Sequence, residues 1–157
     1  MPITPTSTIW KNGKLIPFEQ ATIHVLSHAV HYGSSWFEGI RAYGTPKGTA
    51  VFRLYEHMVR FHHSMRIYRT ALPFSIDELS KAVLDVIAKN NLTTCYVRPV
   101  ALRGFGDMGV YGLNCPLEVY IAAWEWGAYL GDEAAERGVD VCISSWDRIT
   151  PNSMPSL

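Results

Sequence analysis

Two consecutive amphipathic patterns in the middle of the chain limit its fold more than any other feature. Leu54, Met58, Phe61, Met65 and Tyr68 recur at steps of four, three, four and three, which is one face of a helix. Ser75-Ile76-Asp77-Glu78 then sets a hydroxyl and a carboxylate three residues apart, a capping box that opens a second helix. Its buried stripe is Leu79, Val83, Val86 and Ile87, and Asn90-Asn91 closes it. Each helix has a single apolar stripe and must lay it on something. The sequence offers strands on both sides. Residues 9–16 read as a hairpin around Asn12-Gly13, a pair suited to the positive φ angles of a two-residue turn. Residues 35–43 and 49–53 form a second strand pair joined by 44–48, and 96–102 and 117–124 follow the helices as strands. Pro99 argues that 96–102 is an edge strand or carries a bulge. Strands, two helices and strands again predict an α+β domain over residues 1–128.

A linker is expected over 129–138, after the glycines of Gly127-Ala128-Tyr129-Leu130-Gly131. Val139-Asp140-Val141-Cys142-Ile143-Ser144 alternates as the first strand of a second domain, 139–157. About 25 residues cannot close a core of their own. The expectation is that the chain stops inside an unfinished domain.

Charge and cysteine usage narrow the function. Lys plus Arg and Asp plus Glu number 14 each in 157 residues, so no basic footprint for nucleic acid exists. Cys95, Cys115 and Cys142 form no CxxC pair, which points away from a zinc knuckle or disulfide framework and toward a reducing, cytoplasmic setting. No apolar run reaches membrane length, and the N-terminus has no signal pattern.

Three patterns suggest chemistry that their surroundings do not support. Gly104-Phe105-Gly106-Asp107-Met108-Gly109 satisfies GxGxxG after a strand, as in a nicotinamide-dependent dehydrogenase. The dinucleotide fingerprint needs a helix to open there, whereas Gly112, Asn114 and Pro116 follow. His24, His28 and His31 lack a partner carboxylate or cysteine at ligand spacing and read as polar histidines near a turn. Lys11, Lys14, Lys47, Lys81 and Lys89 lie in turns or on a polar helix face, where nothing lowers an amine's pKa as a nucleophile requires.

The strongest motif is His31-Tyr32-Gly33-Ser34-Ser35-Trp36-Phe37-Glu38-Gly39-Ile40-Arg41-Ala42-Tyr43. Phe52-Arg53, Glu56-His57-Met58, Arg60, Tyr96-Val97-Arg98-Pro99, Trp126-Gly127-Ala128-Tyr129-Leu130-Gly131 and Ser144-Ser145-Trp146-Asp147-Arg148 follow in order. Together they resemble the branched-chain aminotransferases, pyridoxal 5'-phosphate (PLP) enzymes of fold type IV. The resemblance implies a two-domain subunit in a homodimer or larger homo-oligomer. It would move the amino group of leucine, isoleucine or valine to 2-oxoglutarate, forming glutamate. Transaminases for D-amino acids or amines share that fold, and a non-catalytic ligand-binding α+β domain is the rival from another class.

The resemblance also assigns residues. Arg60 matches the arginine on the PLP phosphate; by pattern alone it is a helix-flank cation. Its replacement is expected to affect the cofactor more than the fold. Tyr96 and Arg98, two apart on a strand, share a face. That face is either simply solvated or, by resemblance, set at the substrate carboxylate. Tyr32, Phe37 and Tyr129 resemble an aromatic wall around the aliphatic side chain, and would otherwise be core packing. Met108 and Val110 match a loop that completes the neighbouring subunit's pocket. No residue of this chain matches the Schiff-base lysine, which is expected just beyond Leu157.

Overall fold

The computed structural model describes residues 3–127, 132–150 and 153. Residues 1–126 form one compact unit and 127–157 another.

In the first unit, β1 (Thr8–Lys11) and β2 (Lys14–Pro17) make the expected hairpin. Asn12 and Gly13 have φ of 46° and 92°, the left-handed pair that the two-residue turn demands. A short helix, α1 (His28–Tyr32), leads to β3 (Ser35–Phe37), β4 (Ile40–Thr45) and β5 (Gly48–Val51). Helices α2 (Leu54–Ile67) and α3 (Ile76–Lys89) come next, then β6 (Cys95–Arg103) and β7 (Leu117–Trp124). All seven strands join one antiparallel sheet, ordered β2-β1-β7-β6-β4-β5, with β3 also on β6.

Both helices lay their stripes on one face of this sheet. Met58, Phe61 and Met65 of α2 and Leu79, Val83, Val86 and Ile87 of α3 are buried with Trp10, Trp36, Ile40, Val97, Val119 and Ile121 from the strands. Tyr68 falls just past α2 and is half exposed, with its ring edge-on to Trp36 at 5.7 Å. The capping box forms as expected: Ser75 Oγ accepts from the Glu78 amide, and a Glu78 carboxylate oxygen accepts from the Ser75 amide at 2.7 Å. Asn90 also holds the first hairpin, accepting from the Thr8 amide and donating to the Thr8 carbonyl, each at 2.9 Å. Cys95 lies in this core, where burial pushes its thiol up to about 11, too high for a nucleophile at neutral pH.

Two expectations need correction in this unit. Residues 35–43 are not one strand but β3 and β4, interrupted at Glu38-Gly39. Pro99 is on neither an edge nor a bulge: β6 is central, paired with β7 on one side and with β3 and β4 on the other. Those two corrections have one cause. A single register runs through the β3 and β4 pairings and sets Glu38 opposite Pro99. The Glu38 amide donates to the Pro99 carbonyl at 3.0 Å, but proline has no N–H to return the bond. The ladder lapses there and resumes two residues later.

The second unit contains a helix, α4 (Asp132–Arg137), within the stretch expected to be linker. Residues 139–144, expected as a strand, lie in no strand, and Val141 and Ile143 are exposed. A strand needs a neighbour for its backbone N–H and C=O groups, and none of the described strands supplies one. No helix among the described residues is long and apolar enough to cross a membrane.

Stability should follow burial. Phe61→Ala removes a fully buried ring and is expected to cost about 3–5 kcal/mol. Ser75→Ala removes only the cap and is expected to cost about 1 kcal/mol. Urea unfolding of both variants measures the difference.

Candidate active site

Strand pleating divides β6 between two jobs. Cys95, Val97, Pro99 and Ala101 point to the helices and are buried, whereas Tyr96 and Arg98 point to the opposite face and are partly exposed. Phe37 of β3 reaches that same face. Arg98 lies over the Phe37 ring, 4.3 Å from its centroid, and 5.3 Å from that of Tyr96. Its Nη2 donates to the Tyr96 hydroxyl at 3.0 Å. The buried Arg98 Nε has no hydrogen-bond partner among the described residues. Tyr96, Phe37 and Arg98, three residues expected at the site, are therefore brought together.

A wall of aromatics extends this group. The Tyr96 ring lies 5.2 Å from Trp124 and 4.6 Å from Trp126, and those two indoles stack at 5.6 Å. Arg41 anchors the end by donating to the Trp126 carbonyl at 3.2 Å. Tyr96 fits only because residue 39 is glycine. A Cβ there would fall well inside contact distance of the Tyr96 hydroxyl. Trp124, Trp126, Arg41 and Gly39 were not foreseen as site residues, although all but Trp124 lie in the quoted motifs and Trp124 stands two residues before one.

Glu38 turns the other way, to the helix side, and is 3% exposed. Arg60 on α2 meets it with a two-pronged bond: Nε donates to one carboxylate oxygen at 2.7 Å and Nη2 to the other at 2.5 Å. His57, one helical turn before Arg60, donates through Nδ1 at 2.8 Å. Burial alone would raise the Glu38 carboxyl; hydrogen bonds from Arg60 and His57, with the Arg60 charge, outweigh it and hold the group below the usual carboxylate range. The Arg60 side chain is 58% exposed, and its Nη1 end is turned away from the carboxylate. This pairing gives Arg60 a structural task beside the expectation that its replacement affects the cofactor more than the fold. Arg60→Ala would leave a buried carboxylate with only His57 beside it.

A second cluster forms around His28. Far from being a polar residue at a turn, His28 is 4% exposed. Its Nδ1 lies 2.7 Å from the Ser34 hydroxyl, its Nε2 donates to the Gly109 carbonyl at 2.9 Å, and its ring packs on Tyr32 at 4.5 Å. Tyr32 and the loop carrying Met108 and Val110 thus meet here, all three exposed. His24 and His31 instead serve local turns, at the Leu26 amide and the Val25 carbonyl. Tyr129 lies outside the described residues.

Packing accounts for the first two glycines of the GxGxxG pattern. A Cβ at Gly104 would meet the Glu118 carboxylate at 2.5 Å, and one at Gly106 would meet Pro116 and Cys115 at 3.2–3.3 Å. Only a 3-10 turn, Gly112–Asn114, follows in the described loop, where the dinucleotide fingerprint would need a helix. Lys11 is paired with Glu118 at 3.2 Å and lies over Tyr120. The Tyr120 hydrogen bond, helped by Glu118, holds its amine above the ordinary value against the opposing effect of burial.

Residues 35–156 match the family model described as amino-transferase class IV, and the chain belongs to that family. Among similar proteins is the branched-chain-amino-acid aminotransferase of Escherichia coli (strain K12), 53% identical over 152 residues, or 94% of this chain and 48% of that protein. Its counterpart in Pseudomonas aeruginosa is 44% identical, over 89% of this chain and 46% of its own length. The crystal structure of the Escherichia coli branched-chain amino acid aminotransferase superposes with a TM-score of 0.92 at 52% identity, covering 96% of this chain and 50% of that one. The T.th. branched-chain amino acid aminotransferase with pyridoxamine 5'-phosphate gives 0.90 at 50% identity, covering 98% and 50%. The α+β fold is therefore that of the matched portion of fold-type-IV aminotransferases. The chain spans about half the length of the curated relatives it matches.

The Glu38 cluster should respond to pH in one direction. A carboxyl depressed in the fold stabilises it above the unfolded value, near 4.5, and that contribution is lost as pH falls through the lower folded value. Glu38→Gln is therefore expected to cost about 1–3 kcal/mol at neutral pH. The gap to wild type should narrow on acidification below the carboxylate range, as followed by urea unfolding across pH.

Proposed function

We propose that the protein is a branched-chain-amino-acid transaminase, passing the amino group of leucine, isoleucine or valine to 2-oxoglutarate with PLP as cofactor. The observation that carries this reading is Arg98, a cation laid on aromatic rings with a buried N–H left without a partner. Such a group suits a pocket that takes the apolar side chain of one substrate and the side-chain carboxylate of glutamate from the other. The guanidinium takes the anion through charge-assisted hydrogen bonds, while Phe37 and the tryptophans beside Tyr96 exclude water from the hydrocarbon. Full burial of a leucine side chain contributes about 2 kcal/mol, so discrimination among leucine, isoleucine and valine rests on the shape of the wall.

PLP fits the second cation. Glu38 holds Arg60 by its Nε and Nη2 edge, so the exposed Nη1 end is presented in a fixed orientation suited to phosphate oxygens. Bound there, the cofactor supplies the electron sink that stabilises negative charge at the amino acid's Cα. The reacting lysine is none of the five in this chain. A nucleophilic amine needs a lowered pKa, and Lys11 is shifted the opposite way. Tyr32, Met108, Val110 and Tyr129 are read as further pocket residues, Met108 and Val110 serving the neighbouring subunit of a homodimer or larger homo-oligomer in the cytoplasm. The N-terminal domain, 1–128, is joined through residues 129–138 to a second domain that begins at 139.

Arg98→Ala in the full-length protein should impair the half-reaction with glutamate more than that with leucine, because only glutamate brings a second carboxylate. Single-turnover absorbance measurements of the two half-reactions separate these. Equal losses would move Arg98 to the shared α-carboxylate, and failure of the PLP-loaded wild type to turn over leucine with 2-oxoglutarate would reject the reading. Arg60→Lys, which keeps the charge but loses the two-pronged geometry, should weaken PLP retention on dialysis by roughly tenfold.

A further inference from the structure

His28 touches the 104–112 loop at three points. Its amide donates to the Gly104 carbonyl at 3.1 Å, at the start of the loop. Its Nε2 donates to the Gly109 carbonyl in the middle, between Met108 and Val110. Its ring then fills the space of a side chain at position 112, where a Cβ would lie 2.5 Å from the imidazole. A carbonyl can only accept, so Nε2 carries the hydrogen, and in the neutral ring Nδ1 accepts from Ser34. The imidazole is thereby fixed at both nitrogens and packed on Tyr32. The first half of the loop is also held by the Ser27–Phe105 bridge, the His24–Phe105 ring contact at 4.6 Å and the Cys115 thiol on the Asp107 carbonyl, but at the tip Val110 is 92% exposed and Gly109 has no neighbour within 4 Å of a Cβ position.

We propose that His28 is a positioning residue for substrate selection. It ties the loop carrying Met108 and Val110 to the helix carrying Tyr32, so that the three exposed side chains are held in fixed relation to one another. The substrate part of this inference rests on the transaminase reading; the strut itself does not. Without the imidazole, Met108 and Val110 would still be present but would sample many orientations, and the loss would fall on binding rather than on the chemical step.

The test uses three variants of the full-length protein. His28→Gln keeps a nitrogen donor able to reach Gly109. His28→Asn keeps a polar group near Ser34 but is too short to reach Gly109. Gly112→Ala leaves the imidazole intact and crowds it from the loop side. Hydrogen exchange of the amides of 105–113 reads the strut directly, while KM and kcat for leucine and PLP retention on dialysis read its consequence. His28→Asn and Gly112→Ala are expected to accelerate exchange in the loop and to raise KM by roughly two- to tenfold, the value of one hydrogen bond. PLP retention and kcat should stay near wild type, and His28→Gln should restore most of the loss. Unchanged exchange in both His28→Asn and Gly112→Ala overturns the proposal, as does faster exchange without a rise in KM, or kcat and KM failing together. A wild-type protein inactive toward leucine would fail the transaminase reading, and the exchange measurements would still decide whether the strut exists.

Discussion

The absence of one N–H, at Pro99, shapes both sides of this sheet. A proline in a central strand forfeits a ladder bond, and here the forfeited bond is the one that Glu38 would have accepted. The strand opposite breaks into β3 and β4, yet its register does not slip, so alternation carries straight through the gap. Glu38 goes to the helix side and finds Arg60 and His57. Gly39 comes to the open side and makes room for the Tyr96 hydroxyl, which in turn receives Arg98. A one-residue slip would exchange the two faces and place a carboxylate against the aromatic wall. The close apposition of β6 to this gap thus positions an anion clamp on one side and an aromatic cation site on the other.

The two arginines are held by different means, and this governs what each can offer a ligand. Arg60 is already paired with a carboxylate, so the pair presents little net charge; its contribution is direction, a guanidinium edge held at a fixed angle. Arg98 has no carboxylate partner among the described residues and is steadied by ring faces and a hydroxyl. Its charge remains available to an incoming anion. A phosphate brings its own multiple charge and needs orientation more than attraction. A side-chain carboxylate entering a pocket otherwise lined by aromatic rings needs the unspent charge. The roles proposed for Arg60 and Arg98 agree with that physical difference.

Much of this was legible in the sequence because it depends on short-range periodicity. The helical stripes, the Ser75 capping box, the Asn12-Gly13 turn and the shared face of Tyr96 and Arg98 each follow from spacings of two to four residues. What escaped depends on pairings between distant segments. Glu38 and Arg60 are 22 residues apart, and His28 and Gly109 are 81 apart; no periodicity connects them. Pro99 misled for the opposite reason. The rule that removes proline from central strands is local, and it yields where the partner strand can break to absorb the missing donor. His57 was within reach, since it lies one helical turn from Arg60 and a basic pair at that spacing invites a search for a buried acid.

The glycine-rich loop illustrates how a local pattern can carry the right residues for a different reason. Glycine at 104 and 106 would, in a dinucleotide fold, let a backbone approach a pyrophosphate. Here the approach is made by Glu118 and by the Cys115-Pro116 backbone and ring, and at 112 by the imidazole of His28. The demand on the backbone is the same in both settings, namely that no Cβ stand in the way. What distinguishes them is the occupant. A loop that admits its own protein's side chains is packed before any ligand arrives, and its outward residues, Met108 and Val110, are left as the parts free to meet something else. That arrangement suits a loop whose work is done at its exposed tip, and it makes the histidine beneath it, rather than the glycines within it, the residue that sets where the tip stands.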